Sequence, residues 1–334
     1  STTAAKPRNP RRSSPKKVIP SASVLEAIMN KKIIFITGPT ASGKSSTAMI
    51  LAERIGAEII SCDSMQVYKG MDIITSKPSA SDRARVPHHL LDIVPPTEEY
   101  NAFRYYEEAA GKVEDIFIRG KVPLFVGGTG LYVSAVLNGL FACAPERSLL
   151  REEFYRQAAS PEGAAALHAR LSEHDPAAGK RIHPNDVRRI VRALEVWDST
   201  GKSISDKQKE RKGLSELYAT EIFCLNPERE QLYRRIEERV DEMFASGLEK
   251  EARGLLEMPL SRTAAFAIGL NELKEYFEGR CALDEARRLM KLNTRHYAKR
   301  QMTWFRKDKR VRWINRPAAR PEEAAEIIWK ELSR

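Results

Sequence analysis

The sequence predicts an α/β protein, a P-loop NTPase-like doubly wound parallel sheet with a helical insertion domain. Three observations support this fold class. An apolar, β-branched run at 31–37 leads directly into a glycine-rich loop and an amphipathic helix. Strand and helix patterns alternate from residue 31 to residue 140. Strand patterns then vanish over 142–201, where Ala, Glu and Arg dominate, and return at 221–225.

The length of 334 residues is enough for two compact units. We predict a catalytic core domain made of 31–141 and 215–334, with a helical insertion domain at 142–214. A basic tail at 1–30 comes first. Its first twenty residues carry six basic and no acidic side chains. We expect this tail to be disordered, with a nucleic-acid arm or an organelle transit segment as alternatives.

Composition narrows the class of partner. There are 56 Lys and Arg against 45 Asp and Glu, a net charge of +11, which favours polyanions. No apolar run approaches the roughly 20 residues of a spanning helix, so we expect no membrane partner. The four cysteines are scattered without a Cys-x-x-Cys pair, which argues against a zinc ribbon or a disulfide framework. A reducing, cytoplasmic location fits best.

The glycine-rich loop at 38–45 reads Gly-Pro-Thr-Ala-Ser-Gly-Lys-Ser, a complete P-loop. Its glycines let backbone N–H groups turn toward phosphate oxygens, while Lys44 reaches the outer phosphates and the Ser45 hydroxyl can ligate Mg²⁺. The helix that follows adds the positive end of its dipole. The sequence therefore predicts a phosphate site at the end of the first strand, and leaves open whether ATP ever occupies it.

Polar residues follow two further strand patterns. Asp63 comes after the strand at 57–61, and Thr129 follows the glycines after the strand at 121–126. Ligands of open α/β sheets lie outside the carboxyl ends of the strands, so both should face the P-loop. Asp63 can be a general base, a partner of Mg²⁺ or a helix cap, and we favour the base. His88 and His89 have no evident partner cluster and are interpreted as structural.

The insertion contains His-Pro-Asn-Asp at 183–186, followed by a helical pattern with Arg188, Arg189 and Arg192. Either Asn185 or Asp186 can cap this helix. From charge alone, these arginines are as consistent with a solvated face as with an RNA contact.

A second basic helix is predicted at 284–305. It places four cations at i, i+4 spacing along one face: Arg287, Lys291, Arg295 and Lys299. These cations repel one another unless phosphates, or acids from elsewhere in the chain, offset their charge. Trp304 and Phe305 at its end are expected to anchor the core.

Seven ordered blocks resemble one known family, that of the tRNA dimethylallyltransferases (tRNA isopentenyltransferases). The likeness runs from about residue 31 to residue 315. The blocks are Gly-Pro-Thr-Ala-Ser-Gly-Lys-Ser (38–45), Asp-Ser-Met-Gln-Val-Tyr-Lys-Gly-Met-Asp-Ile (63–73), Pro-His-His-Leu-Leu-Asp (87–92), Val-Gly-Gly-Thr-Gly-Leu-Tyr (126–132), His-Pro-Asn-Asp (183–186), Arg-Ala-Leu-Glu (192–195) and Ala-Lys-Arg-Gln-Met-Thr-Trp-Phe-Arg (298–306).

The resemblance implies transfer of a dimethylallyl group from dimethylallyl diphosphate to N6 of the adenine 3′ of the tRNA anticodon, position 37, with Mg²⁺ and no obligate protein partner. The adenine would be flipped out of the anticodon loop. Matching positions imply Asp63 and Lys44 as catalytic residues and Ser45 as metal ligand. Diphosphate contacts would be Gly38, Thr40, Ala41, Ser42, Gly43, Lys44, Ser45 and Arg239. The insertion at 142–214 would bind the tRNA. Contacts to the anticodon stem-loop would be Asp63, Ser64, Met65, Gln66, Thr129, Arg151, Arg188, Arg189 and Arg192.

Two segments depart from the family pattern. Ile-Thr-Ser-Lys-Pro at 74–78 stands where the family usually has Gly-Thr-Ala-Lys-Pro. Leu270 and Asn271 stand where it usually has Tyr and a basic residue, which removes a charge from a segment resembling a tRNA contact. The second departure bears on RNA affinity and leaves the catalytic assignment unchanged.

Three other functions fit parts of the sequence. An isopentenyltransferase acting on free adenine nucleotides would use the same P-loop and aspartate, but would need no basic helical insertion. In a small-molecule kinase, Asp63 would activate a hydroxyl and the P-loop would hold ATP. A non-catalytic P-loop RNA-binding protein would account for the charge but not for an intact Lys44, Ser45 and Asp63.

Overall fold

A computed structural model of the chain describes residues 31–141, 148–315 and 320–334. The predicted disordered tail at 1–30 lies outside these ranges, as does Cys143. Within them, no helix combines the length and apolar character that a membrane crossing requires.

The centre of the molecule is one sheet of six parallel strands in the order β3-β2-β4-β1-β5-β6. The strands are β1 (Lys32–Thr37), β2 (Ala57–Ser61), β3 (His88–His89), β4 (Val122–Val126), β5 (Ala219–Asn226) and β6 (Val311–Asn315). The predicted α/β class is confirmed. The two edge strands, β3 and β6, were not predicted from the sequence, because β3 has only two residues and β6 is interrupted by an exposed arginine, Arg312.

Burial on both faces explains the apolar strands. In β1, Ile33 and Phe35 belong to one core cluster, whereas Ile34 and Ile36 belong to a second. Alternate residues of a strand point to opposite faces, so each cluster packs under its own layer of helices.

The helices of the core cover both faces of the sheet. The second cluster includes side chains of α1 (Lys44–Ile55), with Ala48, Leu51, Ala52 and Ile55 buried as the amphipathic pattern predicts. The other core helices are α2 (Ala80–Arg85), α3 (Ala102–Ile118) and α4 (Gly130–Asn138), followed after the insertion by α10 (Arg229–Ala245), α11 (Leu248–Leu256), α12 (Leu270–Phe277), α13 (Leu283–Phe305) and α14 (Pro321–Leu332).

The segment between α4 and β5 is helical. Its helices are α5 (Ser148–Gln157), α6 (Pro161–His174), α7 (Pro176–Arg181), α8 (Val187–Thr200) and α9 (Ile204–Lys209). Proline begins α6 and α7, where a missing N–H costs nothing. Asp186, rather than Asn185, caps α8 by accepting from Arg189 N at 3.2 Å. Phe154, Leu171 and Leu194 share a separate apolar cluster. That residues 142–214 form a separate domain stays a prediction.

Acidic side chains on another helix offset part of the repulsion among the four cations on α13. Two of them meet acids on α10: Lys291 Nζ lies 2.7 Å from Asp241, and Arg295 lies 3.3 Å from Glu237. Acids distant in sequence therefore offset half of the charge. The expectation for the end of this helix is confirmed for Phe305, which is buried, and wrong for Trp304, which is 43% exposed.

Candidate active site

Three strand ends meet at one small cavity. The P-loop follows β1, Asp63 follows β2, and Gly127 with Gly128 follows β4. The cavity has a volume of about 90 Å³, and its lining includes Thr40, Lys44, Ser45, Asp63, Gln66, Gly127, Gly128, Arg239, Tyr297 and Gln301. The sheet thus brings the P-loop and Asp63 together as the strand-end rule predicts, whereas Thr129, also predicted to face the P-loop, does not line this cavity.

The P-loop adopts the curled backbone that an anion site requires. Ala41 and Gly43 both have left-handed φ angles, 60° and 88°, which turn successive amides to one side. Ser42 Oγ is buried without a hydrogen-bond partner in the described part of the chain. Gly38 does not line the cavity; it lies against β5, where an added Cβ would be 2.8 Å from Leu225 O.

The Lys44 ammonium is held inside the loop. Its Nζ donates to Pro39 O at 2.6 Å. Burial, together with the nearby positive charge of Arg239, lowers the pKa of Lys44 to about 8. Asp63 acts in the opposite direction, which places the carboxylate within electrostatic reach of the ammonium. A bound anion would balance the positive charges of Lys44 and Arg239.

Asp63 begins a tight turn beside the cavity. Its Oδ1 accepts a hydrogen bond from Met65 N at 2.9 Å, so its local role is to close this turn rather than to cap a helix. No partner for Oδ2 is found among the described residues. Thr129 Oγ1 accepts from Ser64 N at 3.1 Å and thereby joins the β4 loop to this turn. One carboxylate oxygen is therefore anchored and the other is available.

Arg239, on α10, contacts the P-loop and also a neighbouring loop. Its Nη1 donates to Thr40 Oγ1 at 3.2 Å and its Nε donates to Ser76 Oγ at 2.8 Å. Burial lowers the pKa of this guanidinium. Arg239 is partly buried and forms no ion pair within the described residues. Asp63 and Glu242 are near enough to act on its charge without pairing with it, so the guanidinium remains available to an anion.

Gln301 and Tyr297, on α13, were missed as site residues although Gln301 lies in a quoted block. Gln301 is buried and bonds to both glycine loops. Burial and the charge of Asp63 raise the pKa of Tyr297, which keeps its phenol protonated. In the sequence, only their i, i+4 spacing indicates that the two side chains lie on the same face of a helix, and many pairs of helical residues have that spacing.

A second, more apolar cavity adjoins the first. It has a volume of about 360 Å³, and its lining includes Met65, Ile74, Ile236, Val240, Met243, Phe266, Ile268 and Met290. The two cavities share Thr40, Asp63, Thr75, Arg239 and Tyr297. A wider cleft of about 1150 Å³ continues along Ala41, Ser42 and Gly43. The site thus joins an anion-binding end to an apolar end, with Asp63 at the junction.

The arginines predicted to touch RNA do not line these cavities; they lie on α5 and α8. Arg151 forms a bidentate pair with the buried Glu195, at 2.7 Å to each oxygen, and Arg192 lies 3.3 Å from the same carboxylate. Arg188 and Arg189 are exposed, Arg189 with Asp186 at 3.3 Å.

Other predicted contact residues have partners inside the core. The Gln66 amide accepts from Ser61 Oγ at 3.0 Å and donates to Thr75 O at 3.2 Å. His89, interpreted as structural, has a partner that the sequence did not reveal, because its Nε2 lies 2.7 Å from Glu58. His88 lines the phosphate cavity.

The donor set at the first turn of α1 fits Mg²⁺. The exposed Ser45 hydroxyl and the Asp63 carboxylate line the same cavity. The described residues contain no cluster of three or more His, Cys, Asp or Glu that could hold a metal alone. Mg²⁺ is commonly bound through one or two protein oxygens, several waters and the substrate phosphates, so a dedicated cage is not needed.

The doubly wound sheet with a P-loop after its first strand places the molecule in the class of P-loop α/β proteins. A family model described as IPP transferase matches residues 66–308, and one described as isopentenyl transferase matches residues 31–88. The chain belongs to the IPP transferase family.

Named relatives and solved structures agree with this membership. The tRNA dimethylallyltransferase of Geobacter sulfurreducens is 50% identical over 289 residues, which is 86% of this chain and 93% of the relative. The tRNA isopentenylpyrophosphate transferase of Bacillus halodurans superposes with a TM-score of 0.65 at 39% identity, covering 90% and 97% of the two chains. A eukaryotic dimethylallyltransferase acting on tRNA has a TM-score of 0.77 at 31% identity, covering 91% and 80%.

Proposed function

We propose that the protein transfers a dimethylallyl group from dimethylallyl diphosphate to N6 of adenine 37 in tRNA. The observation that carries this proposal is the position of Asp63, between a phosphate cavity and an apolar cavity. The diphosphate would lie against the P-loop, and the five-carbon chain would occupy the apolar end. The relatives named above are tRNA dimethylallyltransferases, which supports the same reaction.

In this reaction the N6 nitrogen attacks C1 of the dimethylallyl group, and the C1–O bond breaks. The electron pair of that bond leaves with the diphosphate, while the proton of N6 passes to Asp63. The anchored Oδ1 keeps the carboxylate in place and leaves Oδ2 to accept the proton. Lys44, Arg239 and the P-loop amides stabilise the negative charge that grows on the leaving group.

Ser45 would hold Mg²⁺ together with the substrate phosphates. When bound, this ion would neutralise charge on the leaving diphosphate. Asp63 lines the same cavity but keeps its free oxygen, Oδ2, for the proton, so Ser45 is the side chain that would ligate the ion.

The RNA partner would be the anticodon stem-loop, gripped by the helices between α4 and β5. Arg188 and Arg189 are exposed on α8 and available to phosphates. An adenine stacked within the anticodon loop cannot bring its N6 to Asp63 inside the cavity, so the base must be flipped out of the stack. The scattered cysteines, with Cys62 and Cys224 free and buried, agree with a reaction in the reducing cytoplasm.

Labelling with radioactive dimethylallyl diphosphate tests the proposal. Purified protein with Mg²⁺ is incubated with unmodified tRNA, with the same tRNA carrying guanine at position 37, or with AMP. We expect label only in the tRNA with adenine 37. Label in AMP but not in tRNA would identify an enzyme of free nucleotides, and phosphate transfer from labelled ATP to a small molecule would identify a kinase.

A further inference from the structure

The loop formed by residues 72–77, called here the 72–77 loop, is held by one carboxylate from a distant helix. Glu251, on α11, accepts three backbone hydrogen bonds: Asp72 N at 3.0 Å and Ile73 N at 2.8 Å on Oε2, and Ile74 N at 2.9 Å on Oε1. Hydrogen bonds to an ionised carboxylate are stronger than neutral ones. Glu251 therefore fixes three consecutive residues of this loop.

Further contacts hold the other end of the 72–77 loop. The Lys77 ammonium, almost fully buried, donates to Tyr68 O at 2.6 Å and to Asp72 at 2.8 Å, and also contacts Asp92. Ser76 adopts a left-handed φ of 48°. A residue other than glycine keeps that conformation only where its surroundings impose it. The bonds on both sides supply this constraint.

The constrained residue is the one that meets Arg239. Ser76 Oγ accepts from Arg239 Nε at 2.8 Å, and the same guanidinium donates to Thr40 Oγ1 at 3.2 Å. The contacts form a continuous path from Glu251 through the 72–77 loop to Arg239 and the P-loop. If the path is broken at Glu251, Ser76 loses its fixed position and the guanidinium loses one of its two acceptors.

We propose that Glu251 is a positioning residue that presets Arg239 for the diphosphate of the substrate. The inference rests on the proposed function, because it takes the cavity at Thr40 and Lys44 as the diphosphate site. Glu251 itself lines neither the phosphate cavity nor the apolar one, so it acts through other residues. Its contribution is to reduce the reorganisation that binding would otherwise require.

The test is a double-mutant cycle on the binding of inorganic diphosphate with Mg²⁺, measured by calorimetry. Glu251→Gln replaces a carboxylate oxygen by an N–H₂ group that cannot accept, so at least one of the three bonds is lost. We expect the Kd of diphosphate to rise about tenfold, within the range of coupling between residues of one network. Arg239→Met should weaken binding more, and adding Glu251→Gln to it should change little.

Glu249→Gln is the matched control, because it removes the same charge from the same helix and Glu249 forms no hydrogen bond or ion pair within the described residues. It should leave the Kd unchanged. Effects of Glu251→Gln and Arg239→Met that simply add would overturn the proposal, as would a lower melting temperature for Glu251→Gln with an unchanged Kd.

Ser76→Ala provides a second approach, because it removes the last link without disturbing the three bonds to Glu251. It should raise the Kd of diphosphate in the same direction and leave the KM for tRNA unchanged. An unchanged Kd in this variant would contradict the path even if Glu251→Gln did not fold. Wild-type protein that binds diphosphate but labels no tRNA would reject the proposed function alone, leaving the cycle on Glu251 interpretable.

Discussion

The side-chain amide of Gln301 bonds to Thr40 of the P-loop with one atom and to the opposite glycine loop with the other. Its Oε1 accepts from Thr40 N at 2.9 Å, and its Nε2 donates to Gly128 O at 2.9 Å. A Cβ on Gly128 would lie 2.0 Å from that nitrogen, so only glycine allows this approach. The two loops that form the cavity are therefore held at a fixed separation by α13.

Gln301→Met keeps the volume of the side chain and removes both hydrogen bonds. We expect kcat/KM for dimethylallyl diphosphate to fall about tenfold or more, because Thr40 N and Gly128 O lose their partners in a buried position. The measurement is steady-state kinetics at saturating tRNA. Gln157→Met, on the exposed face of α5, is the control and should behave as the wild type. A normal kcat/KM in Gln301→Met would show that the spacing of the loops does not depend on this amide.

Local patterns were enough to predict part of this site. The P-loop, Asp63 and Thr129 follow strands that are buried and apolar, so their positions follow from the ends of parallel strands. Gln301 and Glu251 could not be predicted in the same way. Gln301 meets Thr40 across 261 positions of sequence, and Glu251 meets Ile74 across 177. A side chain that bonds to the backbone of another segment leaves no periodic signal.

The same reason accounts for what the sequence left open or missed elsewhere in the fold. The cations of α13 were predicted to repel one another unless phosphates or distant acids offset them, and the acids that meet two of them, Asp241 and Glu237, lie on α10. The edge strands β3 and β6 were missed because pairing with a neighbouring strand, rather than apolar content, defines them. Local sequence patterns predicted the buried strands and the helices, whereas contacts between distant segments decided which side chains and which edge strands pair.

Asp63→Asn should lower turnover by roughly 10²–10⁴-fold, the range expected for loss of a general base. An asparagine oxygen can still accept from Met65 N, so the turn and the binding of tRNA should be retained. Single-turnover rates and a filter-binding Kd for tRNA measure the two effects separately. Near-normal turnover would contradict the role of base, and weakened tRNA binding would indicate a disturbed turn.

Ser45→Ala should slow the reaction in a way that added Mg²⁺ partly restores, because the hydroxyl is one of several ligands. The rate is measured as a function of Mg²⁺ concentration, and the half-saturating concentration should increase. Ser46→Ala, one residue further along α1 and also exposed, is the matched control. An unchanged dependence on Mg²⁺ in Ser45→Ala would mean that this hydroxyl is not a ligand.

The lowered pKa of Lys44 predicts a pH dependence for substrate capture. The ammonium is charged below its pKa of about 8 and neutral above it, so attraction to diphosphate is present at pH 7 and lost as the pH rises through 8. The kcat/KM for dimethylallyl diphosphate, which reports the free enzyme, should therefore break downward near pH 8.

Arg239→Met tests the cause of this break. Arg239 is the second contribution to the lowered pKa after burial, so its removal should move the break to higher pH. At saturating dimethylallyl diphosphate, kcat/KM for tRNA should show no break at pH 8, because the bound anion holds the proton on Lys44. A wild-type profile that is flat from pH 7 to pH 9 would contradict the assignment.

The arginines of α5 and α8 distinguish an enzyme that acts on tRNA from one that acts on free nucleotides, and the structure divides them into two groups. Arg188 and Arg189 are exposed, whereas Arg192 and Arg151 both face the buried Glu195. Changing Arg188 and Arg189 to Ala should therefore act on RNA alone. We expect the KM for tRNA to rise and its dependence on log salt to flatten by roughly 0.7–0.9 per lost phosphate contact.

Arg151→Ala serves as the contrasting variant, because it removes a bidentate partner from a carboxylate that is only 4% exposed. Its loss should lower the melting temperature, because Glu195 then keeps, among the described residues, only the 3.3 Å contact with Arg192, and breaking a buried ion pair costs up to about 3–5 kcal/mol. The Arg188→Ala, Arg189→Ala double variant should melt as the wild type does, and its KM for dimethylallyl diphosphate should not change. If that double variant also keeps the wild-type KM and salt dependence for tRNA, then α8 does not bind RNA, and a free adenine nucleotide becomes the better candidate for the acceptor.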